Sequence, residues 1–180
     1  MELLKEVCGV MDAQGFFKNN VFYPREIAIK SESFNANILC DTGLKMFEMS
    51  AKDRKTNSYL VQNMVGMAMN SNCVKHNLKN DAREQIKLFY NCIKTDKRQY
   101  VAIRHEHLGV LLDELEIPYI DLQHLLCPST GKLLEKYNTR VCQFHKIAVP
   151  DKTKLRCAEQ KCYAILRWIS DFKKQYEDLN

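Results

Sequence analysis

A chain of 180 residues, 46% of them apolar, can bury a core without disulfide staples and is the length of one domain, residues 1–180. No apolar run approaches the roughly 20 residues that span a bilayer, and "MELLKEVCGVMDAQGFF" has acids and no unbroken apolar segment, unlike a secretory leader. The net charge of +5 is mild: it permits contact with phosphate without requiring it. The expectation is an intracellular protein of cytoplasm or nucleus, with no membrane partner. Its eight cysteines are then free thiols or metal ligands. Cys8, Cys40, Cys73 and Cys92 sit in apolar surroundings and are expected to be buried thiols.

In chain order, "MELLKEVCGVM" has helical spacing and is read as a short leading helix or an ordered tail, with the core running from about residue 20 to 177. "NNVFYPREIAIKSES" is read as a strand whose pairing begins after Pro24. "SFNANILCDTG" is a second strand, closed by the turn signal Asp41-Thr42-Gly43, and "LKMFEMS" a third, alternating one. The period then changes. "TNSYLVQNMVGMAM", with Thr56 or Asn57 as cap, predicts a helix stopped near Gly66. "NDAREQIKLFYNCIK" places Ala82, Ile86, Phe89 and Ile93 on one helical face. "RQYVAI" is a buried strand, "RHEHLGVLLDEL" a helix and "IPYIDL" a last strand; Pro128 to Lys154 is a long loop. From Leu155 to Tyr176 the apolar residues recur in steps of three and four, which makes a long helix. Three strands and then alternating helices and strands predict an α/β fold: a mixed central sheet, antiparallel meander plus parallel strands, with helices packed on it.

Cys142-x2-His145 on the loop, followed by Cys157 at the start of the last helix, has the spacing of a zinc half-site. Cys157 lies where the positive helix end favours a thiolate. Cys162 cannot readily join it: five residues on, its side chain is rotated by about 140° from that of Cys157. It falls on the apolar stripe instead. His105 and His107 flank Glu106 at the opening of a helix, where rings two residues apart diverge, and are read as exposed.

The element order resembles the ribonuclease H-like fold in its three-prime exonuclease variety. "FYPREIAI" looks like the acid-bearing first strand, "KTNSYLVQNMVGM" the helix over the substrate groove, "QYVAIRHEHLGVLLDEL" the strand and helix of the second acid, and "PYIDLQHLLCPS" with "VCQFH…CAEQKC" the end of the domain. Within that superfamily the chain is most similar to the Maelstrom domain over about residues 20 to 170. The resemblance implies a DEDDh exonuclease-like domain with a Glu-His-His-Cys zinc set in place of the catalytic acids. In chain order that set is Glu26, His124, His145 and Cys157, with Cys142 and Cys127 as alternates for the histidines. Otherwise His124 packs beside Leu125–Pro128 and His145 hydrogen-bonds within its loop.

Two-metal phosphodiester cleavage needs several converging carboxylates. Glu26 has Ala28 at i+2 and Pro24 at i−2, so only one acid remains of the pair that alternate strand residues would supply. The last helix reads Arg156-Cys157-Ala158-Glu159-Gln160-Lys161, a lysine where the His-x-Ala-x-x-Asp of active members ends in an acid. No catalytic residue is therefore assigned. Lys52, Arg54, Lys55, Arg104, Lys152, Lys154 and Arg156 are candidate phosphate contacts.

The leading expectation is a zinc-stapled, catalytically degenerate exonuclease-like domain that binds single-stranded RNA or a protein partner. The Maelstrom resemblance implies a place in small-RNA (piRNA) transposon silencing, and weak ribonuclease activity without the usual acids. The alternatives are an active nuclease with a non-standard metal site, using Glu26 with Glu106, Asp113 or Asp121, and a pure protein-interaction module.

Overall fold

The computed structural model describes residues 2–70, 76–77, 81–137, 142, 144–145 and 156–177. After one helical turn, α1 (Glu2–Lys5), come three strands, β1 (Val7–Lys18), β2 (Val21–Lys30) and β3 (Asn35–Asp41). There follow α2 (Ala51–Leu60), β4 (His76–Asn77), α3 (Asp81–Ile93) and β5 (Tyr100–Ile103). The chain ends with α4 (Glu106–Glu114), β6 (Tyr119–Asp121), α5 (Thr130–Lys136) and α6 (Ala158–Glu177). The strands form one mixed sheet in the order β4-β3-β2-β1-β5-β6. Within it β1, β2 and β3 pair antiparallel, and β5 joins β1, β6 joins β5 and β4 joins β3 in parallel.

The expected three-strand meander exists, but one strand closer to the N-terminus. "VCGVMDAQGFFK" is not a tail: it is β1, the longest strand, and its core positions reach back to Leu4 and Val7. "LKMFEMS" forms no strand; Met46–Glu48 makes a single 3-10 turn that leaves Phe47 79% exposed. Asn19 and Asn20, both at positive φ, close the β1–β2 hairpin, the backbone hand that a two-residue connection between twisted strands requires. Pairing in β2 begins at Val21, before Pro24, because the sheet makes room for the proline. The register shifts between Gln14 and Gly15, and Pro24, which has no N–H to offer, stands opposite Gly15 at that bulge. A Cβ at Gly15 would lie 2.1 Å from the Tyr23 carbonyl oxygen, so no other residue fits there without moving β2.

Alternation along the strands sorts the core into two layers. Met11, Ala13, Ile27, Ile29, Ile38, Val101 and Ile103 pack under α3 and α4, against Ala82, Ile86, Leu108 and Leu112. Val10, Ala28, Ala102 and Ile120 face α5 and α6, against Leu133, Ala158, Cys162, Ile165, Trp168 and Ile169. Cys162 is wholly buried, and its thiol donates to the Ala28 carbonyl at 3.3 Å. Cys8 and Cys40 are buried as expected, whereas Cys92 is exposed on α3; Cys73 lies outside the described residues.

The second helix begins earlier than its apolar stripe suggests. Ser50 caps α2, accepting from the Asp53 N–H, and Asn57 is a buried mid-helix residue instead of a cap. Its amide pairs with both backbone groups of Phe17, at 3.0 and 2.7 Å, and so ties α2 to the end of β1. The helix widens into a π turn over Val61–Val65 and stops at Gly66 in the left-handed conformation. The expected loop after Pro128 opens with α5, capped by Ser129. No helix among the described residues is long and apolar enough to cross a membrane.

Candidate metal centre

Glu26 is central to the site because of its register. It lies in the middle strand of the meander, opposite Gln14 on β1 and Leu39 on β3, on the sheet face that α6 covers. Its side chain is fully buried. One oxygen, Oε2, accepts the backbone N–H of Ala158 at 2.9 Å, so a strand carboxylate caps the first turn of α6, where the helix leaves N–H groups unpaired. The other, Oε1, accepts from the Asn37 amide at 3.1 Å and from the Cys142 thiol at 3.0 Å.

Cys157 immediately precedes α6, and its sulfur accepts the Cys142 backbone N–H at 3.4 Å and lies 4.0 Å from Glu26 Oε1. His145 completes the group: Nδ1 is 3.0 Å from the Cys142 sulfur and Nε2 is 3.7 Å from Glu26 Oε2. Glu26, Cys142, His145 and Cys157 each bring one ligand atom within 4.8 Å of all the others. Four ligands at zinc bond lengths of about 2.0–2.3 Å stand roughly 3.3–3.8 Å apart around a tetrahedron, so a small contraction closes the set.

The electrostatics of the group follow from its burial and its internal hydrogen bonds. Burial pushes the Glu26 carboxyl up, and the Cys157 charge adds to this; His145, the Cys142 thiol and the Ala158 N–H pull it partly back. The hydrogen bond from Cys142 holds the Cys157 thiol down at about 4 against the opposing effect of burial, with His145 assisting. The same bond, then burial and Glu26, drives Cys142 far upward, so Cys142 keeps its proton while Cys157 is held as the thiolate. Burial lowers His145, but its bond to Cys157 and the Glu26 charge outweigh that and raise it. His145 Nε2 is buried with no hydrogen-bond partner. A dication would take up that nitrogen and replace the Cys142 proton. Two sulfurs, an imidazole and one carboxylate suit zinc and are a poor match for magnesium or calcium, which take oxygen ligands.

Three of the four expected ligands, Glu26, His145 and Cys157, thus converge, with Cys142 as the fourth. His124 is not there. It sits on a 3-10 turn, Leu122–Leu125, with its side chain 85% exposed and 4.0 Å from Asp121. The turn follows β6, at the sheet edge opposite β4, and carries the ring into solvent. Cys127 is buried elsewhere, beside Arg104. Among the acids considered for a rearranged nuclease site, Glu106 is exposed, Asp113 is bonded to Tyr119 and Asp121 caps its own turn at Gln123. None of them joins Glu26 in a group of ligands among the described residues.

Sequence reasoning missed Asp12 and Gln14, which stand at i and i+2 on β1 and share the Glu26 face of the sheet. Asp12 is fully buried and ion-paired with Lys161 of α6, whose Nζ also donates to the Ala13 carbonyl at 3.0 Å. His105 Nε2 lies 4.0 Å from the same carboxylate; burial holds its pKa below the ordinary value although Asp12 opposes this. His105 is therefore partly enclosed rather than exposed, and His107 stacks on Phe22 at 5.5 Å. The signal for Asp12 was available: an acid and an amide two apart inside an apolar run.

The proposed phosphate contacts divide. Lys52, Arg54 and Lys55 are exposed on α2, with Arg54 held to the Met49 carbonyl at 2.8 Å. Arg104 is half-buried and donates to Thr130 at 3.2 Å, and Arg156 lines a cavity next to Lys161. Lys152 and Lys154 lie outside the described residues. No family model matches the chain, and no curated protein or solved structure matches it.

Proposed function

We propose that this chain is a catalytically degenerate, ribonuclease H-like domain, held by zinc at Glu26, Cys142, His145 and Cys157, that binds single-stranded RNA. The observation that carries the reading is the convergence of these four donors from β2, the segment between α5 and α6, and the start of α6. A four-ligand site leaves no open position for an attacking water, which makes it structural. The ribonuclease H-like part rests on the order β3-β2-β1-β5-β6, a meander followed by parallel strands, with the last helix across the sheet. Degeneracy rests on Lys161, which stands on the last helix where the resemblance expects an acid and whose ammonium group is ion-paired with Asp12. The Maelstrom resemblance adds a role in small-RNA silencing as part of the same proposal.

RNA is favoured over a protein partner by the cavity beside this site. It has a volume of about 290 Å³ and is lined by Phe17, Phe22, His107, Gln14, Arg156 and Lys161. Both polar atoms of the Gln14 amide are buried there without a hydrogen-bond partner, and the aromatic rings offer a stacking surface. An amide edge beside aromatic faces is what an unstacked base requires.

The test is metal analysis joined to RNA binding. One zinc per chain is expected, together with salt-sensitive binding of a single-stranded oligoribonucleotide that weakens at least tenfold in Gln14→Leu/Arg156→Glu. Metal-free protein that folds normally would remove the zinc. Binding that ignores both salt and these substitutions would remove the RNA.

A further inference from the structure

A second cavity, of about 520 Å³, opens on the opposite side of α6 from the Asp12–Lys161 pair. It is bounded by the start of β1, by the β2–β3 turn and by the flank of α6, and it stands apart from every residue of the proposed metal and RNA site. Its walls carry five cations: Lys30 at the end of β2, Arg98 before β5, and Arg167, Lys173 and Lys174 on α6. Among the described residues the only acid in the lining is Glu32, with its side chain 74% exposed and paired with Arg98 at 3.5 Å. The formal excess among those residues is therefore four positive charges around one concave space.

Two further features separate this cavity from an ordinary solvated lysine face. Lys30 and Arg167 both lie over the Tyr163 ring, at 5.8 and 5.9 Å, which orients two of the cations along one wall. Ser31 lines the same space, more than nine-tenths buried, with its hydroxyl lacking any hydrogen-bond partner. A buried hydroxyl left unpaired is unfavourable, and a ligand oxygen that accepts from it removes that cost.

We infer that this cavity binds a phosphomonoester. A carboxylate brings one charge and two oxygens, too few for this net positive lining and a waiting hydroxyl. A phosphomonoester brings nearly two charges and three strong acceptor oxygens, which suit the forked donors of Arg98 and Arg167 together with the Ser31 hydroxyl. The volume exceeds that of bare phosphate, and the apolar floor of Val7, Leu166 and Ile169 accommodates the esterified organic group. The phosphate comes either from a free nucleotide or from the phosphorylated end of an RNA strand. The assignment does not depend on the metal centre.

The probes are adenosine 5′-monophosphate and two otherwise identical short oligoadenylates, one with a 5′-phosphate and one with a 5′-hydroxyl. Binding to the full chain is measured by calorimetry at moderate salt. A preference of at least tenfold for the phosphorylated oligomer is expected, lost in Arg167→Glu/Lys174→Glu, reduced severalfold in Ser31→Ala, and unchanged in Lys52→Glu/Lys55→Glu. Arg167→Gln, a milder change at an exposed position, should reproduce the loss in part. If the monophosphate binds as tightly as the phosphorylated oligomer, the ligand is a free nucleotide; if the oligomer binds much more tightly, it is a strand end. Equal affinity for the two oligomers, or a preference that survives charge reversal at Arg167 and Lys174, overturns the assignment. Because Gln14 and Arg156 are untouched, failure here leaves the RNA reading of the other cavity standing, and the reverse also holds.

Discussion

Lys161 on α6 and Asp12 on β1 form an ion pair from which water is almost fully excluded, with side-chain exposures of 5% and 1%. The sequence shows a lysine near the start of the last helix, but not what it does. The structure gives it a partner: the ammonium group stands beside a central-strand carboxylate that sequence reasoning had not located. A fixed internal cation thus neutralises a buried acid on the sheet face that also carries Glu26.

Breaking such a pair from one side leaves an uncompensated buried charge. Lys161→Met should destabilise the fold by about 3–5 kcal/mol, and Asp12→Leu by a similar amount. The double variant should recover most of the loss, since two apolar residues of similar volume remove both charges together. Urea unfolding of the four proteins measures the coupling. Additive losses would show that the two groups act independently.

The path to this pair also shows which parts of the fold are legible in sequence. The helices are, because the stripes on α3, α4 and α6 keep a period of three to four residues. β1 is not. Both of its faces are covered, so "VCGVMDAQGFFK" lacks the alternation that marks a half-exposed strand, and Leu3 and Leu4 before it suggest a longer helix. "LKMFEMS" alternates and still forms no strand. At the metal centre, Cys142-x2-His145 and Cys157 follow from spacing, but the choice between Cys142 and His124 depends on where the turn after β6 points.

That choice is directly testable. His124→Ala should leave zinc content and melting temperature unchanged, because its ring is in solvent. Cys142→Ser should lose the metal, and so should Cys157→Ser and His145→Ala, each with a marked loss of folding. Cys162→Ala should keep the metal and show only a packing defect. Loss of zinc in His124→Ala with retention in Cys142→Ser would reverse the assignment.

Asn57 offers a purely structural test. Its amide satisfies both the N–H and the carbonyl of Phe17 in the way a neighbouring strand would. Asn57→Ala leaves both groups unpaired and should cost about 2–4 kcal/mol, at 1–3 kcal/mol for each buried orphan with partial access of water. Hydrogen exchange at Phe17 should accelerate by more than the global loss explains. Unchanged protection at that amide would show that the tie contributes little.

Stability should decline in alkali for a definable reason. Burial pushes the Cys40 thiol up to about 12 and the Cys8 thiol to about 11, against 9.0 when exposed. The folded state therefore keeps protons that the unfolded chain releases. The stabilising effect is complete below pH 9 and is lost as pH rises toward those values, at about 1.4 kcal/mol per pH unit for each thiol. Cys40→Ala should remove about one proton's worth of slope between pH 9 and 11. An unchanged slope in that variant would assign the decline to other groups.

Metal affinity should fall with acid, and the sign follows from the same geometry. Without metal, Cys142 keeps its proton while Cys157 is the thiolate, the Cys142 thiol being raised by its bond to Cys157 and by burial. The bond to Cys157 and the Glu26 charge also raise His145, against the effect of burial, so this ring too gains a proton readily as pH falls. Zinc needs both sites deprotonated, and its binding releases those protons. Each proton released should change the apparent affinity about tenfold per pH unit, by linkage. Competition with a chromophoric chelator at pH 6, 7 and 8 should show affinity rising by between one and two decades per unit at the acid end. The gain should shrink to about one decade per unit once His145 is neutral, because Cys142 alone then carries the exchangeable proton. A flat profile would mean that zinc, where present, is held elsewhere.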